Sequence, residues 1–283
     1  MAVKIITDSA SDLPKSLASE KGIDIIPVLV YVDDVEYLDG ETIEQDAFYQ
    51  KMLEGSAVKT AQIPVQQFIE RFEALPSGTD EYIYFAFSSG LSGTYQAAVM
   101  ALNVVKDQRP DLKLTIVDTS CVSLGLGVLV LEAWEMAQAG KSVDEIVGHV
   151  QQAAPTMEHV FSVNDLEYLF RGGRVSKTQA VVGNVLNIKP ILRVESGKLV
   201  PFDKARGKKK KLAKMFSYIA DHGQNLEGQT IGIAHTLNES EALEVKKHFE
   251  ETYGCTKFVI GQLGCTIGAH CGPGLITLFF KNQ

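Results

Sequence analysis

The chain has 283 residues, long enough for two domains of ordinary size, with 45% hydrophobic and 22% charged residues, the balance of a globular protein. A net charge of −8 argues against general nucleic-acid binding, no apolar run reaches membrane-spanning length, and the N-terminus turns polar at Thr7, too soon for a secretory leader. Four cysteines, Cys121, Cys255, Cys265 and Cys271, form no Cys-x-x-Cys pair, so they read as reduced core thiols of a cytoplasmic protein.

In chain order, Val3–Ile6 reads as a strand ending in the polar stretch Thr7-Asp8-Ser9-Ala10-Ser11-Asp12. A helix follows, with Asp12 as expected N-cap and Pro14 in its first turn. Ile23–Tyr31 is a second strand, continuing into an expected hairpin over Asp33–Tyr37. Helices are expected over Gln45–Leu53 and Val65–Leu75, with Lys59–Pro64 as a loop between them. Tyr82–Phe87 is an apolar, aromatic strand, and from Thr94 a helix carries Ala97, Ala98, Ala101 and Leu102 on one face. Leu114–Val117 is the next strand, followed by Asp118-Thr119-Ser120 and a mostly apolar helix over Gly125–Ala139.

Three strands therefore end in Ser/Thr/Asp loops, after Ile6, Phe87 and Val117. In a parallel α/β sheet those ends lie along one edge, where ligands bind. The most informative loop is Ser88-Ser89-Gly90-Leu91-Ser92-Gly93. Its setting between strand and helix aims backbone N–H groups and the positive end of a helix at one point. Gly93 lets a ligand approach, and Ser89 and Ser92 offer hydroxyls. The expected guest is a phosphate or a carboxylate; the alternative is a capped tight turn.

The second half reads differently. Val143–Ala153 is a helix, Pro155 punctuates it, and the domain boundary is placed there, dividing residues 1–155 from 156–283. Strands follow at Val160–Val163, Pro190–Val194, Lys198–Phe202, Thr230–Ala234, Lys257–Leu263 and Leu275–Phe280. The second and third of these form a hairpin about Glu195-Ser196-Gly197. Helices are expected at Leu166–Phe170, capped by Asp165, and at Thr178–Leu186, Lys208–His222 and Glu239–Tyr253. The fold class is α/β: a parallel-sheet N-terminal domain and a mixed-sheet C-terminal domain.

No nucleotide motif is intact. Gly172-Gly173-Arg174-Val175-Ser176-Lys177-Thr178 ends like a phosphate loop but has Ser176 where the second glycine belongs. Gly90-Leu91-Ser92-Gly93-Thr94 is one residue short of a serine-hydrolase elbow. With His270 as base, Ser92 would make an esterase or thioesterase nucleophile. His270, in Gly268-Ala269-His270-Cys271-Gly272-Pro273-Gly274, either serves an anion or a proton or is a solvated loop residue. No ligands stand near it at zinc-like spacing, so neither metal nor other cofactor is expected. Arg171 and Arg174 flank two glycines, suited to a carboxylate or to a helix C-terminus. Lys208–Lys211 forms a basic run, the solvated start of a helix or a docking point for an acidic partner or membrane surface.

Taken together the motifs resemble the DegV family, which includes FakB-type fatty-acid-binding proteins of bacteria. The matching pieces are Ile6–Pro14, Thr60-Ala61-Gln62, Ser88–Tyr95, Asp118-Thr119-Ser120, Ser123–Gly127, Leu169–Arg174, and His270 before Gly272-Pro273-Gly274. The resemblance implies two α/β domains with one long-chain fatty acid between them. It places the carboxylate near Thr60 and Ser92, with Arg171 and His270 in the surrounding polar network and Ser89, Gly93 and Ser120 as further contacts. It also implies a separate kinase subunit that binds ATP and phosphorylates the presented carboxylate, the acyl phosphate then feeding phospholipid synthesis. A carrier without such a partner is the other outcome. One departure stands out: the family's Thr-Ser-Gln-Pro-Ser reads Thr60-Ala61-Gln62-Ile63-Pro64 here.

Overall fold

Runs of β-branched and aromatic residues build three sheets, and helices cover the faces those runs would otherwise leave in water. The computed structural model describes residues 2–176 and 187–283; the helix expected over Thr178–Leu186 lies outside the described residues. Strands β1 (Val3–Asp8), β2 (Asp24–Ile26), β6 (Glu81–Ala86) and β7 (Leu114–Asp118) form a parallel sheet in the order β2-β1-β6-β7. Ile5, Ile6, Ile83, Tyr84 and Phe85 are all buried, as near-continuous apolar strands covered on both faces must be. Strands β3 (Leu29–Val32), β4 (Val35–Leu38) and β5 (Val58–Ala61) make a small antiparallel sheet in the order β4-β3-β5.

Residues 157–281 supply a mixed sheet of six strands. These are β8 (Met157–Ser162), β9 (Ile188–Glu195), β10 (Lys198–Arg206), β11 (Thr230–His235), β12 (Lys257–Gln262) and β13 (Ile276–Lys281), ordered β10-β9-β8-β13-β11-β12. Only β11 and β12 run parallel. The expected hairpin is present, turning through Ser196 and Gly197 with φ of +49° and +74°, the two left-handed residues of a tight hairpin turn.

The helices are α1 (Lys15–Lys21), α2 (Gln45–Leu53), α3 (Val65–Glu73), α4 (Thr94–Gln108), α5 (Ser123–Gln138), α6 (Val143–Ala153), α7 (Glu167–Arg171), α8 (Lys208–His222), α9 (Glu239–Tyr253) and α10 (Cys265–Cys271), numbered among the described residues. Helix α5 is apolar on nearly every side because it packs on β1 and β6 of the parallel sheet and on β8, β11 and β13 of the mixed sheet. A helix buried all round reads this way in sequence. The four cysteines are buried free thiols, and no helix of the described residues is long and apolar enough to cross a membrane.

Three segments differ from the sequence reading. Lys59–Ala61 is not loop but most of β5, where Thr60 stands opposite Val30; two β-branched residues at alternate positions suffice once β3 offers a free edge. His270 stands not in a turn but on α10, one residue from its end. Asp12 does not cap α1, which starts after Pro14. Asp12 closes the short 3-10 turn Ser9–Ser11 in the left-handed conformation, φ +53°. Its carboxylate accepts from Ser123 Oγ at 2.5 Å and Gly264 N at 2.8 Å.

Burial holds the Asp12 carboxyl up at about 8, against an ordinary 3.8, with Asp39 and Asp8 adding repulsion. The folded state therefore keeps the proton that the unfolded chain releases. That contribution to stability is complete below about pH 4 and is lost as pH rises through about 8. An asparagine reproduces both hydrogen bonds without charge and tolerates the left-handed backbone. Asp12→Asn should stabilise the protein on the order of 2 kcal/mol at pH 8, several degrees in Tm. The gain should shrink toward pH 5 in thermal melts. A gain that is absent, or that grows on acidification, would contradict a protonated Asp12.

Candidate functional site

Helix α10 carries the histidine and is held at its N-terminus by two buried carboxylates. Asp39 accepts from Cys265 N at 2.9 Å, Thr266 N at 3.0 Å and Thr266 Oγ1 at 2.6 Å, while Asp12 takes Gly264 N. Carboxyl oxygens at the start of a helix satisfy its free N–H groups. Along the helix, Tyr49 lies so close that a Cβ on Gly268 would stand 2.2 Å from its hydroxyl. The helix thus points His270 at β5, where its Nε2 meets Thr60 Oγ1 at 2.7 Å. His270 Nδ1 is buried with no hydrogen-bond partner among the described residues. Burial, then the charge of Arg174, lowers the His270 pKa to about 4, so the ring is neutral near pH 7.

These groups edge a mostly apolar cavity; about 820 Å³ of space lies within it and its open mouth together. Phe87, Leu91 and Val122 line one wall and Phe161, Leu199 and Phe279 another. Thr60, Ser92, Thr94, Arg174 and His270 also line it. Thr60, Ser92, Arg174 and His270 are each partly exposed. The lining also includes His159, whose Nδ1 meets Met157 O at 2.9 Å and whose Nε2 accepts from Val122 N at 3.2 Å. Burial lowers its pKa to about 4, so it too is neutral. Asp8 accepts from Tyr84 Oη, Phe87 N and Ala10 N; burial raises its carboxyl to about 6.

Of the residues singled out in sequence, Thr60, Ser92 and His270 face this cavity. Arg171 is exposed, with its guanidinium 4.7 Å from the centre of the Tyr168 ring. Arg174 is the arginine at the cavity wall, donating to Leu91 O from Nε and Nη2 at 3.2 and 3.1 Å and to Gly172 O. Ser89 Oγ donates to Asp118, and Ser120 lies exposed beyond it with its N–H on the same carboxylate. Gly93 precedes α4 and makes room for Gln62, whose Oε1 would lie 1.9 Å from a Cβ there.

The Ser88–Gly93 loop is less open than its composition indicates. The N–H groups of Ser89, Gly90, Leu91, Ser92 and Thr94 all donate within the protein, so side-chain hydroxyls and not those amides are free to meet a ligand. Ser92 Oγ pairs with Thr94 Oγ1 at 2.9 Å. His270 is engaged with Thr60 instead, so the structure does not supply the histidine base that an esterase reading needs at Ser92.

The family model described as "Uncharacterised protein, DegV family" matches residues 2–283. The chain belongs to the DegV family. A DegV domain-containing protein of Caldanaerobacter subterraneus is 36% identical over 281 residues, 99% of each chain. The DegV lipid binding protein of Thermotoga maritima is similar in structure, with a TM-score of 0.87 at 31% identity over 99% of this chain and 98% of its own. A Thermus thermophilus DegV family protein, described for its fatty acid binding, has a TM-score of 0.86 at 29% identity, covering 99% and 100%.

In this DegV chain the features that sequence reasoning missed are Arg174 in place of Arg171 at the wall, and the Asp12–Asp39 clasp. Arg174 was visible as the second arginine of the Arg-Gly-Gly-Arg motif; only the fold decides which arginine turns inward. Asp39 had no local signal, since its partners on α10 lie 226 and 227 residues away and Ser9, which also donates to it, lies 30 away.

Gly172 offers a direct test of how the ring is seated. Its φ of −72° suits any residue, but a Cβ would stand 2.0 Å from His270 Nδ1. Gly172→Ala should displace the imidazole, break its bond to Thr60 and move its pKa from about 4 toward 6.5. Titration of the His270 ring by NMR reads this; an unmoved pKa would mean the ring is not held there.

Proposed function

We propose that this protein binds a long-chain fatty acid in the cavity, with Thr60, Ser92 and His270 around the carboxylate, and presents that carboxylate to a separate kinase subunit for acyl-phosphate formation. The observation that carries the reading is the joining of an apolar cavity to a small group of hydroxyl, imidazole and guanidinium side chains at its edge. The lipid and fatty acid binding of the Thermotoga and Thermus relatives supports it. Arg174 supplies the positive charge nearest those donors; Arg171, Ser89, Gly93 and Ser120 shape the surrounding loops.

The energetics divide the task. Burial of a methylene contributes about 0.8 kcal/mol, so a chain of roughly fifteen offers on the order of 10 kcal/mol. Desolvating the carboxylate costs several kcal/mol unless donors replace its water. The tail then supplies affinity and the donors supply orientation. Thr60, Ser92 and His270 are each partly exposed, which suits a head group that must be reached from outside. The kinase partnership is what the resemblance to FakB-type proteins implies, and the exposed Lys208, Lys209 and Lys210 are a candidate contact for a partner or a membrane surface; Lys211, expected to be solvated with them, is buried and pairs with Glu241.

Mass spectrometry of denatured extract from the purified protein should release a fatty acid in near-stoichiometric amount. Its absence, with no binding of added fatty acid, would overturn the reading. Ser92→Ala should then reduce kinase-dependent phosphorylation well over tenfold while lipid retention falls by no more than about fivefold, because one hydroxyl is worth about 1 kcal/mol against the tail's larger total. Equal loss of both would rule out separate roles for head and tail.

A further inference from the structure

Strand β13 presents its two faces to different surroundings. Ile276, Leu278 and Phe280 are buried with α8, α9 and their neighbours in one apolar cluster, while Leu275, Thr277 and Phe279, from its N-terminal edge onward, line the cavity. Successive residues on one face of a strand lie about 6.7 Å apart, so these three mark about 13 Å of cavity wall. Thr277 is the middle one. Its cross-strand neighbours, Phe161 and Ala234, are apolar.

The Thr277 hydroxyl is out of place there. Six hydroxyl-bearing residues line the cavity: Thr60, Ser92, Thr94, Ser123, Thr266 and Thr277. The first five hydrogen-bond, to His270, Thr94, Ser92, Asp12 and Asp39 respectively. Thr277 Oγ1 takes part in no hydrogen bond among the described residues and is open to the cavity, although the residue as a whole is 3% exposed. A hydroxyl that faces an apolar space without a partner gains nothing there, and valine would fill the same volume.

We infer that the cavity accepts an acyl chain carrying an oxygen substituent part-way along its length, a mid-chain hydroxy fatty acid, with Thr277 Oγ1 as the hydrogen-bond partner of that oxygen. The inference rests on the proposed fatty-acid binding and specifies the substrate class. The neighbouring polar groups of the lining, Asp8, Ser123 and His159, are already engaged within the protein, so Thr277 is the group left to read the chain. It can donate to a hydroxyl oxygen or accept its proton, whereas a saturated chain leaves it unpaired.

The test compares stearate, 10-hydroxystearate and 18-hydroxystearate on the delipidated native protein and on Thr277→Val. The variant removes only an unpartnered hydroxyl, so its thermal midpoint should equal or exceed the native value; stearate affinity is measured on each protein as the reference for the ratios. The ratio of 10-hydroxystearate to stearate affinity should fall about five- to tenfold in the variant, the size expected for one net hydrogen bond. The same ratio for 18-hydroxystearate should not change. If stearate binds both proteins but the 10-hydroxy ratio is the same in each, Thr277 reads no oxygen, or meets only a trapped water, and the inference fails alone. If native protein binds no stearate, the proposed function fails and this inference with it.

Discussion

The geometry of the site depends on two buried carboxylates holding the start of one seven-residue helix. Asp12 and Asp39 come from the first forty residues; Gly264, Cys265 and Thr266 come from the last twenty. Each hydrogen bond contributes only about 1 kcal/mol net, and burying the carboxyl groups costs free energy, which at Asp12 shows as a pKa raised to about 8, so the clasp adds little net stability. Its effect is positional. A helix this short has weak cooperativity of its own, and without fixed acceptors for its first N–H groups nothing would set its angle. Because the angle is set, His270 reaches Thr60 across a sheet edge.

The polar edge of the cavity carries one fixed charge among the described residues, the Arg174 guanidinium. His270 is kept neutral by burial and by Arg174, and Arg174 itself is turned partly onto the carbonyls of Leu91 and Gly172. Such a group attracts an anion but does not trap it. A strongly cationic pocket would hold a carboxylate too well to release its product and would hinder attack by its oxygen. Neutral donors with one shared cation fit a head group that is held for orientation, under the function proposed above.

Much of the architecture was legible in sequence, and what was not has a common cause. Helices α2, α6, α8 and α9 begin and end where their apolar spacing and polar flanks indicate, because those are local properties. The parallel sheet followed from three apolar strands with polar ends. Strand β5 was read as loop because its four residues form a strand only when β3 lies beside them. Helix α10 was read as a turn because Gly264, Gly268 and Gly272 look like breakers; in the fold, Gly268 makes room for Tyr49. Asp12 looked like a helix cap because the residue that binds its carboxylate through a main-chain N–H is 252 positions away. Thr60, Ser92 and His270 were recognisable as polar residues in unusual settings. That His270 pairs with Thr60 and not with Ser92 is a tertiary fact.

The glycines of the Ser88–Gly93 loop have a different use from the one their composition indicates. A Cβ on Gly90 would stand 2.7 Å from Gly197 O, and Ser88 Oγ donates to that same carbonyl at 2.8 Å. The turn of the β9–β10 hairpin therefore sits directly on this loop, and backbone meets backbone only because neither glycine carries a side chain. The loop joins the parallel sheet to the mixed sheet on one side of the cavity, as the Asp12–Asp39 clasp joins them through α10. Between these two hydrogen-bonded joints lies an apolar space lined from both sheets. The lining phenylalanines and leucines of both sheets belong to one continuous apolar cluster, so the cavity that Thr60, Ser92 and His270 edge is a gap within a shared core.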